Sequence, residues 1–509
     1  MADITPLYVV GGYLVLLLGI GVASNLFFRG TSSDYFVASR SIGPFMLLMS
    51  VFGTTMTAFA LVGSTGKAYA KGIGVYGLMA SSSGLVHSAC FFLVGMRLWA
   101  IGKRHGYMTQ CQFFRARYDS HFLGYMLFPI LVALIVPYLL IGLLGAGAVM
   151  KGVTINMFPE TFTATRGAVP PWLTGLVLSL VVLTYVFVGG VRSTAWANTF
   201  QTLVFMATGL IAFFMISQAL GGLEAASEQV KENAPQHLAR EGMIGRWQFL
   251  TYFFVPLSVG MFPHLFQHWL TARSARTFRA TLIAHPLCIM VVWVPCILIG
   301  IWAAGAGLEP PPGANANAIL GVTVKKLVHA PVLTGLLTAG ILAAIMSSLD
   351  SQFMCLGTMF TNDIVVPMRG SRPLTDRQKL WTGRIFVLVI VTITYFISLN
   401  STPHIFDLAV WCFSGFAALF PIVLASIYWR RTTAFAVMLA IGITTIAWWI
   451  LFAQSGYGGE YLLFQSWFGH EDGIMPVAVL TVLCGVVVVL GSLVSPPPAQ
   501  ATVNKFFPG

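Results

Sequence analysis

The chain has 509 residues, of which 57% are hydrophobic and 9% charged, with a mean hydropathy of +0.83. Soluble domains carry about 25% charged residues, so a soluble enzyme, a disordered chain and a nucleic-acid-binding protein are excluded. The apolar content suffices for about thirteen membrane helices of about 20 residues, and topology explains the net charge of +12.

The chain opens MADITPLYVVGGYLVLLLGIGVASNLFFRG. It lacks the basic start of a signal peptide and runs apolar over 7–28 before Arg29, which predicts an uncleaved span with its N-terminus outside. Further spans are predicted at 43–66, 73–100, 121–150, 171–190, 195–220, 249–272, 279–306, 331–363, 380–400, 404–428, 434–454 and 474–495, thirteen in all. In this arrangement nineteen of the 28 Lys and Arg lie inside, Arg29, Arg40, Arg192, Arg369 and Arg372 among them, and nine, including Lys67, lie outside. The bias follows the positive-inside rule and supports the count, because one missed helix would invert every later loop. It puts the C-terminus inside. Two outer loops, 222–248 with a weak helical pattern and 307–330 with Pro310, Pro311, Pro312 and Gly313, read as solvated caps. About 14 residues follow the last span, so no signalling domain is expected. Six of the seven cysteines lie in apolar runs and Cys111 in a basic loop, with no CxxC pair, so disulfides and zinc are not expected.

Two spans carry helix-breaking sequence. In the second, Gly53-Thr54-Thr55-Met56-Thr57 is poor helix material, and threonine hydroxyls can satisfy backbone freed by unwinding. Small-residue packing between helices is the alternative. In the seventh, Pro256 and Pro263 flank Gly260, which predicts a discontinuous helix or a kink. The two lie five spans apart. Paired interruptions in corresponding halves point to a transporter of inverted repeats, with substrate and ion bound near the midplane.

The ninth span holds AAIMSSLDS at 343–351. Ala344, Ser347, Ser348 and Ser351 share one helical face. Two hydroxyls beside a small residue suit a hard cation, which prefers oxygen ligands; interhelical serine packing is the bland reading. Asp350 borders this face, and an ionisable residue within a span is a functional candidate. Asp363, near Arg369, better suits a carboxylate paired with arginine at the inner mouth, and Asp407 reads as interfacial.

Together these residues resemble the sodium:solute symporter family over nearly the whole chain. The resemblance rests on DYFVASRSIG at 34–43, GGVRSTAWANTFQ at 189–201, the segment from Gln267 to Arg279, AAIMSSLDS, and FSGFAALFPIVLASIYWRR at 413–431. It implies an all-α membrane protein with the leucine-transporter-like fold. The expected layout is thirteen transmembrane helices, with 7–28 an extra span, 43–220 and 249–428 two inverted five-helix repeats with discontinuous first helices, and 434–495 two C-terminal spans. It also implies a sodium site of the Gly53, Met56 and Ala344 carbonyls with the Ser347 and Ser348 hydroxyls.

The chain departs from the family pattern twice. Asn198 stands where many members have aspartate, and Asp350 where serine is frequent. The reciprocal change predicts that Asp350 and Asn198 face each other and, with Ser351, keep a second cation or proton site. His268 replaces a frequent arginine and reads as an interfacial side chain, or as a pH-sensitive element of the inner gate. The expected substrate pocket comprises Thr54, Thr57, Phe59, Ser82, Ser258, Phe262 and Trp411. Pro263-His264 and the 137–147 run are similar to members that carry organic acids. No lysine or arginine falls at midplane depth, which favours a monocarboxylate, amino acid or neutral solute.

The expected function is sodium-coupled import of a small organic solute by alternating access, in a multi-pass bacterial inner membrane protein. Sodium is the coupling ion, and solute, sodium and membrane lipid are the partners. The alternatives are proton coupling on the same fold or a solute sensor without transport. A membrane enzyme is disfavoured, since no HExxH motif or paired midplane carboxylates occur.

Overall fold

The structure, a computed structural model, describes residues 3–24, 31–311, 314–370, 373–400, 404–469 and 472–507. The end of the first predicted span at 25–28, Arg29, Pro312, Gly313 and Arg372 lie outside the described residues. The described chain is helical, with two isolated β-bridges.

Among the described residues, ten helices are long and apolar enough to cross a membrane. These are α1 (Thr5–Ala23), α4 (Gly74–His105), α5 (His121–Thr154), α6 (Pro171–Ala219), α9 (Ala275–Gly305), α10 (Pro331–Met368), α11 (Asp376–Leu399), α12 (Ile405–Tyr428), α13 (Ala434–Gln454) and α14 (Pro476–Val494). Two bent pairs bring the total to twelve: α2 (Pro44–Thr55) with α3 (Phe59–Lys71), bent by 57°, and α7 (Arg246–Gly260) with α8 (Pro263–Thr271), bent by 49°. Prolines open α2, α6, α8, α10 and α14, where the first helical position needs no amide hydrogen. A Thr375–Gln378 capping box opens α11.

α6 runs for 49 residues. At 1.5 Å per residue it is about 74 Å long, more than twice the hydrocarbon thickness of about 30 Å. It breaks at Gly190, where φ is +60° and ψ −150°. That region belongs essentially to glycine, and a Cβ there would also lie 2.6 Å from the Tyr35 carbonyl oxygen. The two halves coincide with the spans predicted at 171–190 and 195–220.

At the centre α6 packs along α10, α1 lies across both, and α2 runs beside α6; α13 and α14 pair with each other. The outer faces of α11, α13 and α14 expose Ile385, Phe396, Ile446 and Val482, among other large apolar side chains, a surface suited to acyl chains. The outer loops are more structured than expected. Within 307–330 the helix Ile319–Leu327 buries Ile319 through Val324. Its Gly321 allows this close packing, since a Cβ there would meet the Val149 carbonyl at 2.7 Å. Within 222–248 the helix Leu223–Asn233 buries Ala226 and Val230.

Candidate functional site

The first break is narrower than expected. Gly53, Thr54 and Thr55 remain helical; Met56 leaves the helix at φ −89°, ψ 99°. The Met56 amide still bonds the Phe52 carbonyl at 3.0 Å. The next carbonyls, from Gly53 onward, have lost their intrahelical partners. The threonines patch the gap: Thr57 Oγ1 accepts from the Phe59 amide at 3.0 Å, and Thr55 Oγ1 donates to the Phe52 carbonyl at 2.8 Å.

α10 meets this frayed end. Ser347 Oγ lies 2.8 Å from the Gly53 carbonyl oxygen and 2.9 Å from that of Ala344. One hydroxyl hydrogen can serve only one of these two carbonyls, whereas a cation at their centre would serve every oxygen. Ser348 is buried one position along, its hydroxyl donating back to the Ile345 carbonyl at 3.0 Å. Gly53 permits the approach of α6 on its other side, since a Cβ would fall 2.4 Å from Thr202 Oγ1. Thus Gly53, Ala344 and Ser347 are brought together, Met56 stands at the break, and Ser348 adjoins with its hydroxyl satisfied locally.

Asp350 is fully buried and meets only neutral groups. Tyr185 donates to Oδ2 at 2.9 Å and Ser351 to Oδ1 at 3.1 Å. The Asn198 amide is assigned from its hydrogen-bond network. With its nitrogen toward the carboxylate it donates to Oδ1 and Oδ2 at 3.0 and 2.9 Å, while its oxygen lies 3.0 Å from Ser351 Oγ and competes with Asp350 Oδ1 for that hydroxyl's single hydrogen. Among the described residues no Lys, Arg or His forms an ion pair with Asp350. His268 is not interfacial; it is buried, with Nε2 2.9 Å from Ser351 Oγ. Nor, among the described residues, does Asp363 form an ion pair with an arginine. It is buried, accepting from Thr109 Oγ1 at 2.6 Å, while Arg369 is exposed. The short helix Gln110–Arg117, capped by Thr109, folds over the end of α10 and shields the carboxylate. Sequence reasoning missed Tyr185, whose only signal is a lone hydroxyl in an apolar run. It also missed the part played by α1: a Cβ on Gly21 would sit 2.3 Å from the Tyr185 Cβ, so α1 presses directly on this tyrosine.

The second break falls at Met261–Phe262, after the 3₁₀ segment Tyr252–Gly260 that contains Pro256. The Ser258 carbonyl takes the amides of Met261 and Phe262 at 2.9 and 3.0 Å. Phe262 packs on Tyr138, Phe413 and Phe416 with centroid distances of 5.5, 5.5 and 5.0 Å. Phe59, just past the first break, meets Phe413 at 5.1 Å. The predicted pocket residues Phe59 and Phe262 therefore share one aromatic cluster between the breaks. Thr54 is buried nearby on α2 with its hydroxyl unpartnered. Trp411 turns away from the cluster: its indole donates to the Gly459 carbonyl at 2.8 Å and packs on Trp448 and Phe452. Ser82 is half-buried on α4.

At one end of the bundle a charged network joins elements the sequence did not connect. Lys67 on α3 contacts Asp407 on α12 at 2.9 Å and Glu460 at 3.0 Å. Glu460 also accepts from Gln248 at 2.6 Å, and Asp472 takes the amides of Trp247 and Gln248 at the start of α7 at 2.9 and 3.1 Å. Burial alone would raise Glu460, but Lys67 and the hydrogen bonds hold it below its ordinary value of 4.5. A carboxylate lowered on folding stabilises above its ordinary value and loses that contribution as pH falls through the folded one. Glu460→Gln is accordingly expected to lower the melting temperature of the purified protein at pH 7. The difference from the parent should shrink as pH falls through the folded value, which lies below 4.5, as read by tryptophan fluorescence.

Two interrupted helices, one with loosened carbonyls beside α10 hydroxyls, are the pattern of a secondary transporter. The sodium:solute symporter profile matches residues 35–444, and the chain belongs to the sodium:solute symporter family. The sodium/proline symporter of Haemophilus influenzae is 26% identical, with 97% of this chain and 95% of that protein covered. The osmoregulated proline transporter of Bacillus subtilis is 24% identical, with 97% and 96% covered. The sodium/pantothenate symporter of H. influenzae is 24% identical, with 87% and 89% covered. In fold the chain is similar to a Na+-coupled sialic acid symporter in a substrate-bound outward-open state, at a TM-score of 0.77 and 18% identity, covering 98% of this chain and 99% of that one. The protein is a multi-pass membrane protein of a sodium-coupled transporter family.

Proposed function

We propose that the protein is a sodium-coupled symporter that imports a small organic solute by alternating access across the bacterial inner membrane. The observation that carries this reading is the Ser347 hydroxyl, 2.8 Å from the Gly53 carbonyl at the frayed end of α2 and 2.9 Å from the Ala344 carbonyl of its own helix. Sodium is held by Gly53, Met56, Ala344, Ser347 and Ser348, bridging α2 to α10 in the state open to the outside. Its differential affinity for that state is what couples its gradient to transport. The α6 break raises the span count to thirteen, with 43–220 and 249–428 as inverted repeats, the N-terminus outside and the C-terminus inside. Asn198, Asp350 and Ser351 form a second cation or proton site, because a buried carboxylate among neutral donors needs a positive partner. The solute binds between the breaks, beside Thr54, Thr57, Phe59 and Phe262. Proline and pantothenate transporters among the relatives move the expectation from a simple monocarboxylate toward a proline-like amino acid.

The test is uptake of radiolabelled L-proline and a panel of small acids into proteoliposomes. An inward sodium gradient should drive accumulation above equilibrium, and an equal potassium gradient should not. Accumulation driven by a proton gradient alone would replace sodium by proton coupling. Sodium-dependent binding without accumulation would identify a sensor.

A further inference from the structure

α5, α6 and α11 pack on one another, yet where α5 ends, α6 begins and α11 closes they leave a gap. Near the end of α5, Leu144, Ala148 and Lys151 fall at i, i+4 and i+7 and share one helical face. These three are half-buried, whereas Gly145, Ala146, Gly147, Val149 and Met150 between them are buried. The open stripe lines a cavity of about 590 Å³. Its rim is Trp172, the second residue of α6, and Leu399, the last of α11, exposed by 49% and 45%. The Tyr395 hydroxyl donates to the Trp172 carbonyl at 3.2 Å and ties the two sides of the rim together.

The chemistry of this cavity is divided. Among the described residues that line it, Lys151 alone is charged, and it forms no ion pair among the described residues. Lys325 donates to the Ile155 carbonyl just past the end of α5, which adds a second cation at the same helix end. The rest of the wall on α5 is apolar. The rim continues into exposed apolar side chains: Leu176 and Leu180, one and two turns along α6 on the face of Trp172, and Phe396 on α11. From Trp172 to Leu180 this track runs for about 12 Å of helix. Tryptophan and tyrosine gather at the membrane–water boundary, and a lysine there lays its stem on apolar surface with its ammonium at the interface.

We infer that this cavity binds one anionic phospholipid, with its phosphate on Lys151 and an acyl chain laid from Leu144 along the Trp172–Leu180 track. The charge at one end calls for an anion, and the apolar track leading toward the bilayer calls for a chain attached to it. A zwitterionic lipid brings its own cation beside Lys151 and gains less. The bound lipid joins the ends of α5, α6 and α11 on one side of the bundle. Only the choice of leaflet, the outer one, rests on the orientation proposed above; the site itself stands apart from the ion and the transported solute.

The test uses the full chain, delipidated in detergent, with thermal shift measured against dioleoyl phosphatidylglycerol, dioleoyl phosphatidylcholine and free glycerol phosphate. Phosphatidylglycerol should raise the melting temperature at lower concentration than phosphatidylcholine, and glycerol phosphate should be silent. Lys151→Gln should weaken the anionic lipid about fivefold, the worth of one lysine at a membrane surface, and leave phosphatidylcholine unchanged. Lys326→Gln removes the same charge from an exposed lysine outside the cavity and should match the parent. Ala148→Phe fills the stripe without touching the charge and should weaken both lipids. Equal affinity for the two lipids in the parent, or an equal loss in Lys326→Gln and Lys151→Gln, would overturn the site. Glycerol phosphate acting as well as the lipid would replace it by a free-phosphate site, and parental lipid affinity in Ala148→Phe would refute the placement of the chain.

Discussion

Uptake driven by sodium is expected to disappear when Ser347 and Ser348 are both replaced by alanine, while insertion into the membrane is unchanged. Two of the five proposed ligand oxygens are lost. The neighbouring carbonyls of Gly53 and Ala344 would remain buried with only a methyl group where Ser347 Oγ now lies 2.8 and 2.9 Å away. At roughly 1.5 kcal/mol for each polar contact to a charge, half-saturating sodium should rise about a hundredfold, beyond any physiological gradient. Neither substitution changes helix propensity for the worse, so membrane abundance should match the parent. Unchanged sodium dependence would remove the proposed ion site from this position.

The second large effect is expected at Asp350. Its oxygens lie 2.9 and 3.0 Å from the Asn198 amide, so the charge can be moved across the site by exchanging the two side chains. Asp350→Asn should lower the charge moved per solute by one, alter the pH dependence of uptake, or both, according to whether the partner is a cation or a proton. The exchange variant Asp350→Asn with Asn198→Asp returns one carboxylate to the same few ångströms and should restore the parental stoichiometry. Reversal-potential measurements in proteoliposomes give that number directly. A single Asp350→Asn variant with parental stoichiometry and pH profile would refute the second site.

Much of the architecture was legible because bilayer thickness, proline position and cation bias act along the sequence. The α2–α3 break was announced by Gly53 and its threonines, and the α7–α8 break by Pro256, Gly260 and Pro263. The α10 stripe was readable from helical periodicity alone. The failures share a cause: they depend on what another segment brings. His268 looked interfacial because its partner, Ser351, is 83 residues away. Asp363 looked paired with Arg369 because nearness in sequence hides Thr109, 254 residues distant. Trp411 lies on the expected helix, but its indole faces α13. Glu460, in the α13–α14 loop, carries no local mark of its contact with Lys67.

That loop has a mechanical consequence. Through Glu460 it is tied to the far half of one broken helix, and through Asp472 to the opening turn of the other. Neither half can swing without dragging the connection or severing it. The paired helices α13 and α14 thereby act as ballast, and the ease with which that end parts is set by residues outside the proposed ion and solute sites.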